Sequence, residues 1–172
     1  MFIFRDMKKI GIFYGSTTGN TEVVANRIAE NLGVAAADIH DVSSAFPSET
    51  GDYDVLIFGA STWGDGDLQD DMHDFLDGVK VLDLTGKEIA LFGCGDESMS
   101  DTFCNGVGEM YKNLSLTGAG FIGSFDVSGY EFNHSGAEVD GKVVGLLIDN
   151  VNHEDMTKGR ISRWCDELKE EM

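Results

Sequence analysis

Residues 13–21 read Phe-Tyr-Gly-Ser-Thr-Thr-Gly-Asn-Thr, a polar glycine loop that directly follows an apolar run. The run, residues 9–14, has the length and β-branched content of a buried strand. Beyond the loop, apolar residues recur at helical spacing until Gly33, which is a typical helix stop. The stretch therefore predicts a strand, a first loop (residues 15–21) and a helix, in that order.

The same strand–loop–helix unit occurs twice more along the chain. Residues 53–59 and 88–93 are apolar runs typical of buried strands. Each precedes a glycine loop, the second loop (61–67) and the third loop (93–99), and then a helical pattern. A weak extra strand covers residues 38–42. Alternating units of this kind predict an α/β fold in three layers, with a doubly wound parallel sheet between helices.

The C-terminal part departs from this alternation. A helix is predicted over residues 100–116, and a last strand begins at 119–123 and is completed at 143–148. We expect the polar insertion between the two halves, about residues 124–141, either to serve a function or to carry a small sheet of its own. The final helix is expected to begin near Thr157, a good N-cap residue.

Length and composition bound the class of protein. The chain of 172 residues fits one domain, and we interpret residues 1–6 as an N-terminal extension and residues 7–172 as a single, monomeric domain. Its 31 acidic and 12 basic residues give a net charge of −19, which disfavours nucleic acids and anionic membranes as partners. The three cysteines form no C-x-x-C motif, and their odd number without a secretion signal indicates free thiols in a reducing cytoplasm.

The first loop has the composition of a phosphate-binding loop. It offers four hydroxyls at the mouth of a helix, where free N–H groups and the helix dipole attract anions. No Lys or Arg lies between Lys9 and Arg27, and Asn20 follows Gly19 where a Walker A loop would carry a lysine. The loop therefore predicts a site for a terminal phosphate monoester. An ordinary hydroxyl-rich turn at a capped helix remains the alternative.

The second and third loops suggest a planar ligand. Trp63 stands in a glycine loop at a strand end, where it can stack on a ring, although a packing role for this tryptophan is also open. In the third loop, glycines flank Cys94 and leave the backbone accessible for polar contacts with the edge of a ring.

Together these segments resemble the flavodoxins, in particular the long-chain subgroup, over residues 8–170. The resemblance rests on blocks along the whole chain: Phe13 to Thr21, Ser61 to Gln69, Phe92 to Asp96, Gly129-Tyr130-x-Phe132, Val144-Gly145-Leu146 with Asp149, and Thr157-x-x-Arg160-Ile161-x-x-Trp164. It implies a five-stranded parallel sheet of strand order 2-1-3-4-5 whose last strand is split by the insertion. It also implies a tightly but noncovalently bound FMN.

The resemblance assigns parts of the cofactor to the three loops. The first loop would hold the phosphate, Trp63 would stack on the ring, and the peptide between Gly64 and Asp65 would flip to meet the reduced ring. Met99, counted back from Phe103, stands where the family usually places a tyrosine over the outer ring face. No catalytic residue and no metal ligand is expected. The expected cofactor-binding residues are Ser16, Thr17, Thr18, Gly19, Asn20, Thr21, Ser61, Thr62, Trp63, Gly64, Asp65, Cys94, Gly95, Asp96, Met99 and Phe103.

Six acidic residues of the second loop and the next helix invite comparison with a calcium loop: Asp65, Asp67, Asp70, Asp71, Asp74 and Asp77. An EF-hand would need a glycine where Asp70 stands and a glutamate where Leu76 stands, so we reject that site. Two interpretations stay open, a solvated helix face or a docking surface for a basic partner. The four histidines lack metal-ligand spacing and are expected at the surface.

These observations favour a soluble, low-potential one-electron carrier with bound FMN, and not an enzyme. The expected partners are basic-surfaced redox proteins, of the flavodoxin or ferredoxin reductase type or other oxidoreductases. The alternative is a flavodoxin-like, FMN-dependent NAD(P)H:quinone reductase, which would oxidise free NAD(P)H. A receiver-type signalling domain is disfavoured because the third strand ends in Gly59-Ala60-Ser61 and carries no phosphorylatable aspartate there.

Overall fold

The computed structural model describes residues 7–63 and 65–172. The predicted N-terminal extension, residues 1–6, lies outside the described residues. The elements in chain order are β1 (Ile10–Gly15), α1 (Asn20–Leu32), β2 (Ile39–Asp41), β3 (Val55–Trp63), β4 (Asp67–Leu68), α2 (Asp70–Val79), β5 (Glu88–Cys94), α3 (Asn105–Leu114), β6 (Gly120–Phe121), β7 (Glu138–Val139), β8 (Lys142–Val143), β9 (Leu146–Ile148) and α4 (Glu154–Glu171).

Five strand positions form the central sheet. β1 lies between β2 and β3, and β5 follows β3, all in parallel. At the far edge both β6 and β9 pair with β5, at its start and at its end respectively. The last strand is therefore split, and the predicted order 2-1-3-4-5 is confirmed.

Helices cover both faces of this sheet. Side chains of α2 and α3 share one apolar core with Phe13 of β1, whereas those of α1 and α4 share the other with Ile12 and Tyr14. Strands buried on both faces read as continuous apolar runs, which is why they are visible in the sequence. Among the described residues, no helix combines the length and the apolar character that a membrane crossing requires.

Two helices begin elsewhere than the sequence predicts. α3 begins at Asn105 and not near residue 100, because Cys104 has left-handed backbone angles (φ 51°) that interrupt a right-handed helix. α4 begins at Glu154, upstream of Thr157. Thr157 is fully buried in the first turn, and its hydroxyl donates to the side-chain oxygen of Asn150, so it does not cap the helix.

A small sheet lies at the end of the insertion, close to one of the two expectations for it: β7 is inside the predicted bounds and β8 follows directly after them. β7 and β8 form an antiparallel hairpin. The two residues between them, Asp140 and Gly141, have φ values of 52° and 81°. Positive φ at both positions of a two-residue turn is the geometry that matches the twist of a hairpin, and Asp-Gly is a preferred sequence for it.

Candidate functional site

The three loops meet at the carboxyl edge of the sheet, beyond the ends of β1, β3 and β5. Two cavities of about 180 Å³ and 230 Å³ open there. They adjoin each other, since Thr62, Trp63, Gly95 and Asp96 line both. The smaller also reaches the first loop at Thr18 and Asn20, the connection after β9 at Asn150 and Val151, and Cys94. The larger extends to Met99, Thr102, Phe103 and Cys104.

The first loop presents the uncapped N-terminus of α1. Gly19 has a left-handed backbone (φ 94°), and no side chain caps the helix. The N–H of Gly19 donates to Ser16 Oγ at 3.1 Å, which closes the loop into a tight turn. Thr21 is buried and lines neither cavity. Its hydroxyl has no hydrogen-bond partner of ordinary geometry among the described residues and lies next to the Cys94 thiol, whose pKa it lowers against the larger effect of burial. Because a buried hydroxyl is normally satisfied and a thiol is a weak partner, this hydroxyl can still bond a ligand acceptor at the start of α1.

Gln69, which is not among the expected cofactor-binding residues, holds the first loop in place. Its side-chain N–H₂ donates to Thr17 Oγ1 (3.3 Å) and to Asp71 Oδ2 (2.9 Å). Its carbonyl oxygen accepts the N–H of Met72 at 2.9 Å and so caps α2. A Cβ at Gly15 would lie 2.3 Å from that oxygen, which explains why a glycine ends β1. In the sequence, this role is indicated only by a glutamine directly before a predicted helix and a glycine at the end of a predicted strand.

The second loop is a tight connection between β3 and β4, which pair at Thr62–Leu68 and Trp63–Asp67. Trp63 is 41% exposed, and its Nε1 donates to Ser61 Oγ at 2.8 Å. The hydrogen bond fixes the indole at the wall of both cavities. Asp65 is exposed and lines neither cavity. Gly64 is outside the described residues, so the expected flip of its peptide stays a prediction.

The connection from β5 to α3, residues 95–104, contains most of the third loop. Gly95 and Asp96 contribute to both cavities, and Met99, which is 45% exposed, lines the larger one together with Trp63. Hydrogen bonds from Ser98 lower the pKa of Asp96, which favours its charged form. Phe103 is almost fully buried and packs against Phe132, with ring centroids 4.9 Å apart, so it forms the cavity wall from the core side.

The cysteines are buried and carry free thiols, as predicted. Burial raises the pKa of the Cys94 thiol to about 12. Cys94 is therefore a neutral wall of the smaller cavity at ordinary pH, not a nucleophile.

A buried carboxylate organises the rim on the β9 side. Asp149 is fully buried, and its Oδ1 accepts the N–H groups of Val151 and Asn152 at 2.9 Å each. Its Oδ2 accepts the N–H of Glu97 (3.0 Å) and the side chain of Asn152 (2.9 Å). Glu97, Asp149 and His153 lie close together. Because four donors already satisfy Asp149, the group is a hydrogen-bonded brace for the site.

Of the four histidines expected at the surface, His73 and His134 are exposed, whereas His40 and His153 are only partly exposed. His40 stacks on Phe13 (centroids 4.6 Å apart) and bonds the hydroxyl of Tyr53 at 2.6 Å. His153 is half-buried and bonds Glu97 Oε1 at 2.7 Å. Both rings contact residues that are distant in sequence, Phe13 and Tyr53 for His40 and Glu97 for His153. Such contacts cannot be predicted from the spacing of the histidines along the chain.

Comparison with known proteins settles the family. The family model for flavodoxin matches residues 12–164. Flavodoxin 1 of Azotobacter vinelandii is 43% identical over 171 residues, covering 96% of this chain and 98% of the relative. The chain belongs to the flavodoxin family. A second flavodoxin, from a Nostoc species, is 40% identical over 165 residues, covering 95% and 97% of the two chains.

The fold of the chain also agrees with that of a solved structure. This flavodoxin is similar to the Fusobacterium nucleatum flavodoxin bound to flavin mononucleotide, at 28% identity and a TM-score of 0.88, with 96% and 99% of the two chains covered. The match confirms the predicted fold. Flavodoxins are electron-transfer proteins and not enzymes, so the predicted class is confirmed and the quinone reductase alternative is not favoured.

Proposed function

We propose that this flavodoxin binds FMN noncovalently in the two adjoining cavities and carries single electrons between redox proteins. The observation that carries the proposal is the uncapped start of α1, where the buried hydroxyl of Thr21 has only the Cys94 thiol beside it among the described residues. An anion placed there would accept from this hydroxyl and from the free N–H groups of the helix. FMN offers a phosphate for that position and a ring that, when bound, takes up and releases electrons one at a time.

The residues fit the two ends of FMN separately. Ser16 to Thr21 supply hydroxyls and N–H groups for the phosphate with no cationic side chain. Trp63 and Met99 face the same 230 Å³ cavity and would hold the ring between an indole and a thioether. Cys94, Gly95 and Asp96 would meet the ring edge. Ser61 would act indirectly, by accepting the hydrogen bond that fixes Trp63. Phe103 would close the wall of the larger cavity.

We also propose that Asp65, Asp67, Asp70 and Asp71 form the docking surface for basic redox partners. All four side chains are exposed on the second loop and the start of α2, beside Trp63. Exposed acids near an electron-transfer site attract a basic partner over long distance and orient it before contact. In this proposal residues 7–172 act as a single, monomeric domain in the cytoplasm.

Binding can be tested by titrating the FMN-free protein with FMN and following flavin fluorescence. The proposal predicts saturable quenching at one FMN per chain and no oxidation of free NADPH or NADH by the loaded protein. Absence of FMN binding would refute the proposal, and rapid oxidation of either nucleotide without a partner would support the quinone reductase alternative.

A further inference from the structure

The insertion lies against the connection from β5 to α3 and is tied to it by main-chain bonds. The N–H groups of Asn133 and His134 both donate to the carbonyl of Ser100 at 2.8 Å. In return, the N–H of Phe103 donates to the carbonyl of His134 at 3.3 Å. The side chain of Asn133 adds bonds to Ser100 Oγ (3.2 Å) and Asp101 Oδ1 (3.1 Å). The insertion therefore supports the connection that carries Gly95, Asp96 and Met99.

Glu97 joins this support to the rest of the molecule. Its Oε2 accepts the N–H of Glu131 in the insertion at 2.8 Å, and its Oε1 bonds His153 before α4 at 2.7 Å. Its own N–H donates to the buried Asp149 at 3.0 Å. One half-buried residue thus connects three segments that are distant in sequence, directly beside Asp96 of the cavity wall.

We propose that Glu97 is a positioning residue for the flavin ring. By binding the insertion and the start of α4 at once, it holds Gly95, Asp96 and Met99 in the conformation that lines the cavities. The inference rests on the proposed function. A connection that is already ordered loses less conformational freedom when a ligand binds, so removal of the anchor weakens ring binding. Glu97 lies outside both apolar cores, so the loss acts on the connection and leaves the fold in place.

Two smaller ligands, each matching one end of FMN, test the role of Glu97 separately for the ring and for the phosphate. Riboflavin carries the ring without the phosphate, and inorganic phosphate mimics the other end alone. In Glu97→Ala we expect the Kd for FMN and for riboflavin to rise by the same factor, about tenfold for the loss of one or two net hydrogen bonds. The Kd for inorganic phosphate should stay at the wild-type value, because the hydrogen bonds of Glu97 go to Glu131, His153 and Asp149 and not to residues 15–21.

Two matched variants separate positioning from a general effect. Glu97→Gln keeps an acceptor for the N–H of Glu131 and gains a donor for an unprotonated His153 nitrogen, so it should restore riboflavin binding close to wild type. Glu138→Ala removes an exposed acid from the same insertion and should change none of the three affinities. If Glu97→Ala does not fold, His153→Ala removes one of the two side-chain contacts and should show a smaller change in the same direction.

The outcomes are distinct. Wild-type riboflavin affinity in a folded Glu97→Ala, or an equal loss of phosphate affinity, overturns the inference. A wild-type protein that binds no FMN refutes the proposed function itself. Weaker ring binding with unchanged phosphate binding, restored by glutamine, supports both.

Discussion

The hydroxyl of Thr21 is buried and has no hydrogen-bond partner of ordinary geometry among the described residues. This disfavours folding of the FMN-free protein but favours the binding of an anion. An unsatisfied buried polar group costs about 1–3 kcal/mol. Thr21→Val removes the hydroxyl and keeps the shape, so the free energy of unfolding of the FMN-free protein should rise by about 1 kcal/mol. The Kd for FMN should rise about tenfold, which corresponds to about 1.4 kcal/mol.

Urea unfolding and flavin titration measure these two changes, and riboflavin is the control ligand. Riboflavin has no phosphate, so its affinity should be the same in Thr21→Val and wild type. A variant that is less stable and binds FMN as tightly as wild type would show that the hydroxyl has no role in phosphate binding.

Because the thiols are buried, the free energy of unfolding depends on pH in the alkaline range. Burial raises the pKa of Cys94 and of Cys165 to about 12, whereas an unfolded cysteine has a pKa of ~8.5. Between these values the unfolded chain has lost protons that the folded protein keeps. The stabilisation is complete below about pH 8.5 and is lost as the pH rises towards 12, by about 1.4 kcal/mol per pH unit and thiol.

Cys165→Ala isolates one of these thiols, because Cys165 lies in the α1–α4 core and lines neither cavity. Urea unfolding at several pH values between about 8.5 and 11 measures the free energy of unfolding of this variant. That free energy should fall less steeply with pH than in wild type, and the difference in slope should correspond to about one proton. An unchanged slope would mean that Cys165 titrates alike in the folded and unfolded states.

At the scale of elements, the contact between the end of β1 and the start of α2 depends on Gly15. A Cβ at this position would meet Gln69 Oε1 at 2.3 Å, and that oxygen caps α2. Gly15→Ala should therefore lower the free energy of unfolding by about 1–3 kcal/mol, the usual range for overpacking. Gly51→Ala is the matched control, since the added methyl group would have no neighbouring atom within 4 Å and the φ of Gly51 is ordinary. Equal stability of the two variants would show that Gln69 moves aside freely.

The elements also show what a sequence can predict. β1, the first loop and α1 are encoded locally, by an apolar run, a glycine and a helical repeat, so both the order of the sheet and the hydroxyl-bearing loop could be predicted. The start of α3 could not, because it depends on the left-handed backbone of Cys104 and on bonds from the insertion to Ser100. Glu97 and Asp149 support the site across 52 residues of chain, a separation that no local pattern records.

At the scale of the whole molecule, the net charge of −19 acts on the cofactor as well as on partners. FMN is an anion and is repelled by the negative charge of the protein, and the first loop has no basic side chain to offset this repulsion. Salt screens the repulsion, since the Debye length falls from ~30 Å at about 0.01 M to ~8 Å at about 0.15 M. The affinity for FMN should therefore rise with salt, whereas association with a basic redox partner should slow.

Titrations at the two salt concentrations check this directly, with uncharged riboflavin as the control. Riboflavin affinity should change little. An affinity for FMN that falls with salt would indicate a cationic contact to the phosphate that the described residues do not provide.

The most direct test of the account is an anaerobic reductive titration of the purified protein loaded with FMN, followed by its absorption spectrum. A one-electron carrier predicts that bound FMN is reduced in two separate one-electron steps, the second at a low potential because of the surrounding acids. A single two-electron step, or a protein that retains no FMN, would contradict it.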